Sequence, residues 1–319
     1  MIELASNNLV INKEVNKILN NIIKSKTFSN GYIFYGPEGI GKKPTSIKFI
    51  QDIFKLYESN LNIEQKVKAN NHPDFLLIEP TYLVKGKQIN RSEYEPTKNN
   101  KASIRIDQIR NIKNFLSQKS LESEKKIVLI VDAHLLNEAA SNCLLKTLEE
   151  PSNGIFILLT SRINILLDTI ISRCQLVRFK SFSNKVLKDF VKDNLEQEIF
   201  DMDKELDFHY LIYSANGSPG KILENIQIWT RIPKEIKNNL HFPLHDNLKI
   251  FEISKLISEQ LEIQEQIFLI NVIQNKWWDE TKNSNIIKNL EDLKSHINKY
   301  IQPRLAWEVI LLKISLETF

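Results

Sequence analysis

Before about position 180 the chain alternates between two rhythms of apolar and polar residues; after it only one persists. Val15, Ile18, Leu19, Ile22 and Ile23 recur three and four apart, which predicts an amphipathic helix over residues 12–24. Tyr32-Ile33-Phe34-Tyr35 is a short apolar run stopped by Gly36, the mark of a buried strand entering a glycine turn. Residues 45–57 return to the helical period. Phe75-Leu76-Leu77-Ile78, Ile127-Val128-Leu129-Ile130-Val131 and residues 155–159 and 177–179 repeat the strand signal. Helices are predicted between them, over 107–116 and after Asn137, a residue suited to cap the second. There Ala140, Cys143, Leu144, Thr147 and Leu148 make the inner stripe, and Pro151 ends the helix. Residues 79–102 are polar and irregular, and a long surface loop is expected. Strands apolar on both faces, alternating with helices, predict a parallel sheet covered on both sides.

Beyond residue 180 the strand signal fades. Residues 180–235 read as helical, and from about 240 onward the pattern is amphipathic helix throughout. Ile286, Leu290, Leu293, Ile297 and Ile301 form one stripe, and Leu305, Val309, Leu312 and Leu316 another. Both are expected to be bundle core. The boundaries predicted are an α/β domain over 1–179, a small helical domain over 180–235 and an all-helical domain over 236–319.

Composition changes this picture little. The chain is 42% hydrophobic and 26% charged, ordinary for a protein with a core in each domain, and its net charge of +4 is too mild to mark a dedicated nucleic-acid surface. The two cysteines, Cys143 and Cys174, have no metal-ligand spacing and suggest no disulfide framework, so a reducing cytoplasm is expected. The N-terminus lacks a basic segment followed by an apolar core, and no apolar run is long enough to span a bilayer. With only 8 glycines in the chain, a cluster of them is informative.

Three of those glycines fall in Gly36-Pro37-Glu38-Gly39-Ile40-Gly41-Lys42-Lys43, between a predicted strand and a predicted helix. The spacing is that of a phosphate-binding loop, in which backbone amides cradle phosphate oxygens, the lysine reaches the terminal phosphates and a final Ser or Thr holds magnesium. Lys43 stands at that last position and cannot ligate a cation; Pro44 removes one further amide. A glycine turn that binds nothing fits the same residues. Asp132 ends the strongest strand, where such a fold orients the magnesium shell, yet Ala133 follows where a glutamate would activate water. Asp132 reads equally as a turn residue.

The most specific run is Ala140-Ser141-Asn142-Cys143-Leu144-Leu145-Lys146-Thr147-Leu148-Glu149-Glu150-Pro151, followed one strand later by Ser172-Arg173-Cys174. Together these resemble the AAA+ clamp-loader family, and within it the delta-prime type of the bacterial DNA polymerase III clamp loader. His72-Pro73-Asp74, Ile106-Asp107-Gln108-Ile109-Arg110 and the polar pair Thr160-Ser161 match as well, so the likeness runs from about Asn12 to Lys221. The resemblance implies an AAA+ phosphate-loop domain, a helical lid and a C-terminal oligomerisation collar. It implies that Arg173 projects as an arginine finger into the ATP site of a neighbouring subunit. A guanidinium, always charged and offering a rigid fork of donors, suits that task. Taken alone, Arg173 reads as a surface arginine in a local salt bridge. Ser172 orients it or caps a turn, and Cys174 reads as a packing residue rather than a reactive thiol.

Family ATPases carry an arginine two residues after Gly-Ser in the lid; here Gly217-Ser218-Pro219-Gly220 puts glycine there, with Lys221 adjacent. The degenerate loop (Gly36, Gly39, Gly41, Lys42), Ala133 and Gly220 together predict no ATP hydrolysis by this chain. Many relatives bind zinc through four cysteines before the His-Pro-Asp stretch; residues 58–71 contain none, and no zinc is expected. No cofactor of the chain's own is expected, ATP being held by neighbours. The partners implied are the gamma/tau ATPase subunits, the delta subunit and, through the complex, a sliding clamp and primer-template DNA, with no membrane. Two alternatives stay open: an ATP-binding or ATP-hydrolysing subunit of gamma/tau type, and a non-replicative interaction module on the same fold.

Overall fold

The computed structural model describes residues 12–58, 62–84, 86–90, 101–149, 154–194, 205–244, 246–299 and 302–316. The described residues divide into two compact units, one up to residue 181 and the other from residue 182 onward. In the first, the elements run α1 (Lys13–Ser25), β1 (Gly31–Tyr35), α2 (Lys42–Phe54), α3 (Ile63–Lys68), β2 (Phe75–Ile78), β3 (Thr81–Val84), β4 (Lys87–Asn90), α4 (Ile106–Ser117), β5 (Lys126–Ile130), α5 (Glu138–Glu149), β6 (Gly154–Thr160), α6 (Asp168–Ile171) and β7 (Gln175–Arg178).

Five strands pair in the order β2-β5-β6-β1-β7, every neighbour parallel. The near-continuous apolar runs read from the sequence are the reason: β5 and β6 are buried along their whole length, so both faces must be covered. Alternate residues of β1 serve opposite layers. Ile33 joins Val128, Phe156 and Leu158 under Ile109, Ile112, Ala140 and Leu144 of α4 and α5. Tyr32 and Phe34 turn the other way onto Phe49 of α2, with ring centroids 5.6 and 6.2 Å apart. Burial of side chains of this size contributes about 1.5–3 kcal/mol each. Asn12 caps α1, its side chain accepting from the Val15 amide; the Asn137 carboxamide accepts from Ala140 at the start of α5.

Three expectations for the first unit need correction. Residues 79–102 are not simply a loop: β3 and β4 form an antiparallel hairpin that turns through Gly86 at φ +80°. Its apolar pattern is short, with Tyr82 buried and Leu83 48% exposed, so too few residues carried the alternation. Helix α2 starts at Lys42 rather than 45, because Gly41 in the left-handed region already accepts the Thr45 amide through its carbonyl. On α1, Ile18 lies outside the buried stripe of Val15, Leu19 and Ile22.

The second unit holds α7 (Asn184–Asn194), α8 (Glu205–Ser214), α9 (Pro219–Arg231), α10 (Lys234–Asn239), α11 (Asn247–Gln260), α12 (Ile263–Thr281), α13 (Ser284–Asn298) and α14 (Pro303–Leu316). Ile286, Leu290, Leu293 and Ile297 of α13 are core, as the spacing predicted; Ile301 lies outside the described residues. Helix α14 reverses its expectation. Leu305, Val309 and Leu316 are 51%, 53% and 74% exposed, while Ala306, Trp307, Ile310, Leu311 and Ile314 are buried. Apolar residues surround this helix, and the largest side chain decides which face turns inward: Trp307 is fully buried and donates its indole N–H to Gln266 at 3.0 Å. Among the described residues, no helix is long and apolar enough to cross a membrane.

Candidate functional site

In a parallel sheet, everything that follows a strand sits at one edge and everything that precedes a strand sits at the other. The loop after β1 (residues 36–41), Asp132 after β5 and Thr160 at the end of β6 therefore gather at the carboxyl edge, where ligands bind in open α/β sheets. Ser172, Arg173 and Cys174 precede β7 and lie at the amino edge beside Gly31, the first residue of β1. The length of β1 separates the two groups, roughly 17 Å at 3.3 Å per residue.

At the carboxyl edge the glycines do what a phosphate loop needs: Gly36, Gly39 and Gly41 adopt φ of +152°, +67° and +94°. Gly36 has a packing role as well, since a Cβ there would meet the Phe179 carbonyl oxygen at 2.3 Å. Lys42 is folded back into its own loop, donating to the carbonyls of Gly36 and Pro37 at 2.6 and 2.5 Å. Burial pushes its pKa from 10.5 down to about 8, against the pull of the Asp132 and Glu38 carboxylates. Lys43, at the position of the magnesium hydroxyl, pairs with Glu79 at 2.6 Å. An ammonium held by a carboxylate at that place does not fit a magnesium ion. Ala133 is fully buried and carries no group able to polarise water.

Next to them, Thr160 accepts from the Arg162 amide at 3.0 Å, so its hydroxyl proton is available to His134 Nδ1 at 3.3 Å. Burial lowers the His134 pKa, only partly offset by Asp132. Ser161 donates to Glu38 at 3.3 Å. The residues of this edge are thus engaged with one another: two ammonium groups, a histidine and two hydroxyls all have partners inside the protein.

The amino edge carries an arginine, and it too is held by protein groups. Arg173 donates from one terminal nitrogen to the Thr169 carbonyl at 2.9 Å and meets Glu149 with the other at 2.6 Å, its side chain 38% exposed. Ser172 donates to the same carbonyl at 3.1 Å, which steadies the turn rather than the arginine directly. Burial drives the Cys174 thiol up to about 11, so it is inert packing, its sulfur filling the space where a side chain on Gly31 would begin. Glu150 and Pro151 lie outside the described residues.

In the second unit Gly217 takes φ +79°, Ser218 caps α9 by accepting from the Lys221 amide at 3.2 Å, and Pro219 occupies the first turn. This motif starts a helix. Gly220 offers no side chain and Lys221 is exposed.

His72-Pro73-Asp74 proves structural. The Asp74 carboxylate accepts from the amides of Leu121, Glu122 and Ser123, and the His72 ring stacks on Phe54 with centroids 4.0 Å apart. Glu58, His72 and Glu122 offer ligand atoms within 4.8 Å of one another, a group that sequence reasoning missed because its members lie on three separate segments. It fits a cation poorly. His72 Nδ1 accepts from the Asp74 amide, so Nε2 carries the proton and donates to Glu58, while Lys66 occupies Glu122 at 2.6 Å. The pairs Lys43–Glu79 and Arg173–Glu149 also went unread, being 36 and 24 residues apart with no local signal.

A family model described as "DNA polymerase III, delta subunit" matches residues 11–183, and one described as "Cyanobacterial DNA polymerase III delta prime, C-terminal domain" matches 185–314. The chain belongs to the DNA polymerase III delta-prime family. It is 32% identical over 192 residues to the DNA polymerase III subunit delta' of Bacillus subtilis, covering 58% of this chain and 51% of that protein. The delta' subunit of Pseudomonas aeruginosa is 31% identical over 153 residues, 46% of this chain and 42% of that one. The match to the Bacillus subtilis tau subunit is 30% over 55% of this chain and 29% of that protein. The chain thus spans about half the length, or less, of the curated relatives it matches. A gamma subunit-related protein of Thermotoga maritima superposes with a TM-score of 0.55 at 15% identity, covering 96% of this chain and 99% of that one. The fold is that of an AAA+ clamp-loader protein, with a parallel-sheet α/β core and a helical C-terminal region.

Proposed function

We propose that this delta-prime family member is a non-catalytic subunit of a DNA polymerase III clamp loader, and that it contributes Arg173 in trans to the ATP bound by an adjacent gamma/tau-type subunit. One observation carries the reading: Arg173 sits at the opposite sheet edge from the chain's own phosphate loop, too far to reach a nucleotide held there. A guanidinium so placed can serve a triphosphate only if another chain brings it. The chain's own loop supports the same division of labour, since Lys43 pairs with Glu79 where magnesium would bind and Ala133 replaces the water-activating acid.

On this reading the chain hydrolyses no ATP and needs neither nucleotide nor zinc of its own. Residues 180–235 act as the lid and 236–319 as the collar. The adjoining helices α11 and α14 expose Leu248, Phe251, Leu305, Val309 and Leu316, apolar surface suited to a neighbouring collar. The delta subunit completes the loader, which opens a sliding clamp and places it on primer-template DNA in the cytoplasm. The test is a loader reconstituted with Arg173→Ala. DNA-stimulated ATPase should fall by about 10³-fold or more, the scale of a lost finger; undiminished turnover overturns the proposal.

A second reading, nucleotide binding without hydrolysis, is favoured by the left-handed glycines and Lys42. Native mass spectrometry of the loader with ATP decides it by the number of nucleotides retained.

A further inference from the structure

The acidic end of α5 takes no part in the function proposed above. Helix α5 closes on Glu149, and a carboxylate at a helix C-terminus faces the partial negative charge of the last carbonyls, a local cost. A local rule broken in this way is expected where the side chain gains something elsewhere. What it gains is Arg173: the guanidinium stands 2.6 Å from Glu149 Oε1 and 2.9 Å from the Thr169 carbonyl.

We propose that Glu149 is a positioning residue for Arg173, holding the guanidinium in a fixed place at the amino edge before a neighbour's phosphate arrives. The inference rests on the reading of Arg173 as a finger. A guanidinium carries five N–H donors, and the two contacts found among the described residues engage one donor on each terminal nitrogen. The others remain for phosphate oxygens. One anchor on the α6 backbone and one on α5 fix both ends of the fork, so less side-chain freedom is lost when a phosphate docks. The pair is partly exposed, 38% and 53%, so the arriving anion does not meet a buried, neutralised ion pair. The geometry also joins the two motifs that stand out most in the sequence, the Leu-Leu-Lys-Thr-Leu-Glu run and Ser-Arg-Cys.

The experiment compares four reconstituted loaders: parent, Glu149→Gln, Arg173→Ala and the double variant, each assayed for clamp- and DNA-stimulated ATP turnover. Gln keeps the size of the side chain and removes the charge. Glu149→Gln is expected to lower kcat about twofold to fivefold, the range of an exposed ion pair, with KM for ATP unchanged. That deficit should shrink as salt is raised, because salt screens the pair in the parent. In the Arg173→Ala background the same change should do nothing. Turnover equal to the parent in Glu149→Gln, alongside a large loss in Arg173→Ala, overturns the inference and leaves the finger standing. A further loss in the double variant assigns Glu149 a purely structural role, and a gain in Glu149→Gln makes it a restraint; either result also overturns it. If Arg173→Ala itself costs nothing, the finger reading fails first.

Discussion

The phosphate-loop corner and the α6 corner belong to the same sheet, and what separates them is Lys42, buried in its own loop, against Arg173, partly exposed. At the loop, Lys42 is turned onto its own carbonyls and Lys43 onto Glu79. At α6, Arg173 is anchored through both terminal nitrogens but remains partly exposed at the sheet edge. A fold can therefore keep the glycine turns of a phosphate loop while burying that loop's lysine, and leave an arginine partly exposed at the far edge of the same strands. The reading of Arg173 as a finger stands or falls on that contrast.

The strongest way to break it is the one already named: Arg173→Ala should cost the loader about 10³ to 10⁵ in turnover, whereas Lys42→Ala in the same assay should cost little. Equal losses would erase the difference between the corners.

Next in size is a pH dependence confined to the loop. Folding moves the Lys42 pKa from 10.5 to about 8, so the folded state disfavours the charged form. That penalty is present in full below pH 8 and is relieved as pH rises from 8 toward 10.5. Relative to Lys42→Met, the parent should gain stability across this window, by on the order of 3 kcal/mol. Urea denaturation at stepped pH measures it, and a flat difference would refute the buried ammonium.

Gly36→Ala tests whether packing, rather than a ligand, keeps the loop glycine. With packing against the Phe179 carbonyl oxygen, 2.3 Å from the added Cβ, on top of the strain of a φ of +152°, the variant should lose about 2–3 kcal/mol in the absence of any nucleotide. Gly41→Ala meets nothing within 4 Å and should pay only for its φ of +94°, about 1–2 kcal/mol. Equal losses at the two positions would remove the packing explanation.

Smallest is Lys43→Ala. Its pair with Glu79 is 49% and 37% exposed, so the melting stability should change by less than about 1 kcal/mol. A larger loss would mean that the Lys43–Glu79 pair is structural.

Much of the sheet domain was legible because its signals are local. Runs such as residues 127–131 are apolar on both faces, and that alone demands a two-sided cover. The loop glycines and the missing hydroxyl at Lys43 were equally plain, since the chemistry of a residue type needs no neighbours to be read. The hairpin β3–β4 was not, because Tyr82 and the turn at Gly86 are too few positions to establish a period. Nor was the exposed face of α14. Leu305, Val309 and Leu316 keep the same spacing as a core stripe, and only the competing bulk of Trp307 turns them outward.

By itself the sequence determined the strands of the parallel sheet and most helices, that Lys43 and Ala133 stand where a phosphate loop carries a hydroxyl and an acid, and that an arginine follows Ser172, because propensity, periodicity and functional groups are properties of short stretches. The tertiary structure alone decided that Lys43 meets Glu79 and that Glu149 meets Arg173. Such pairings depend on the order in which parallel strands are laid side by side, and no local pattern encodes that order.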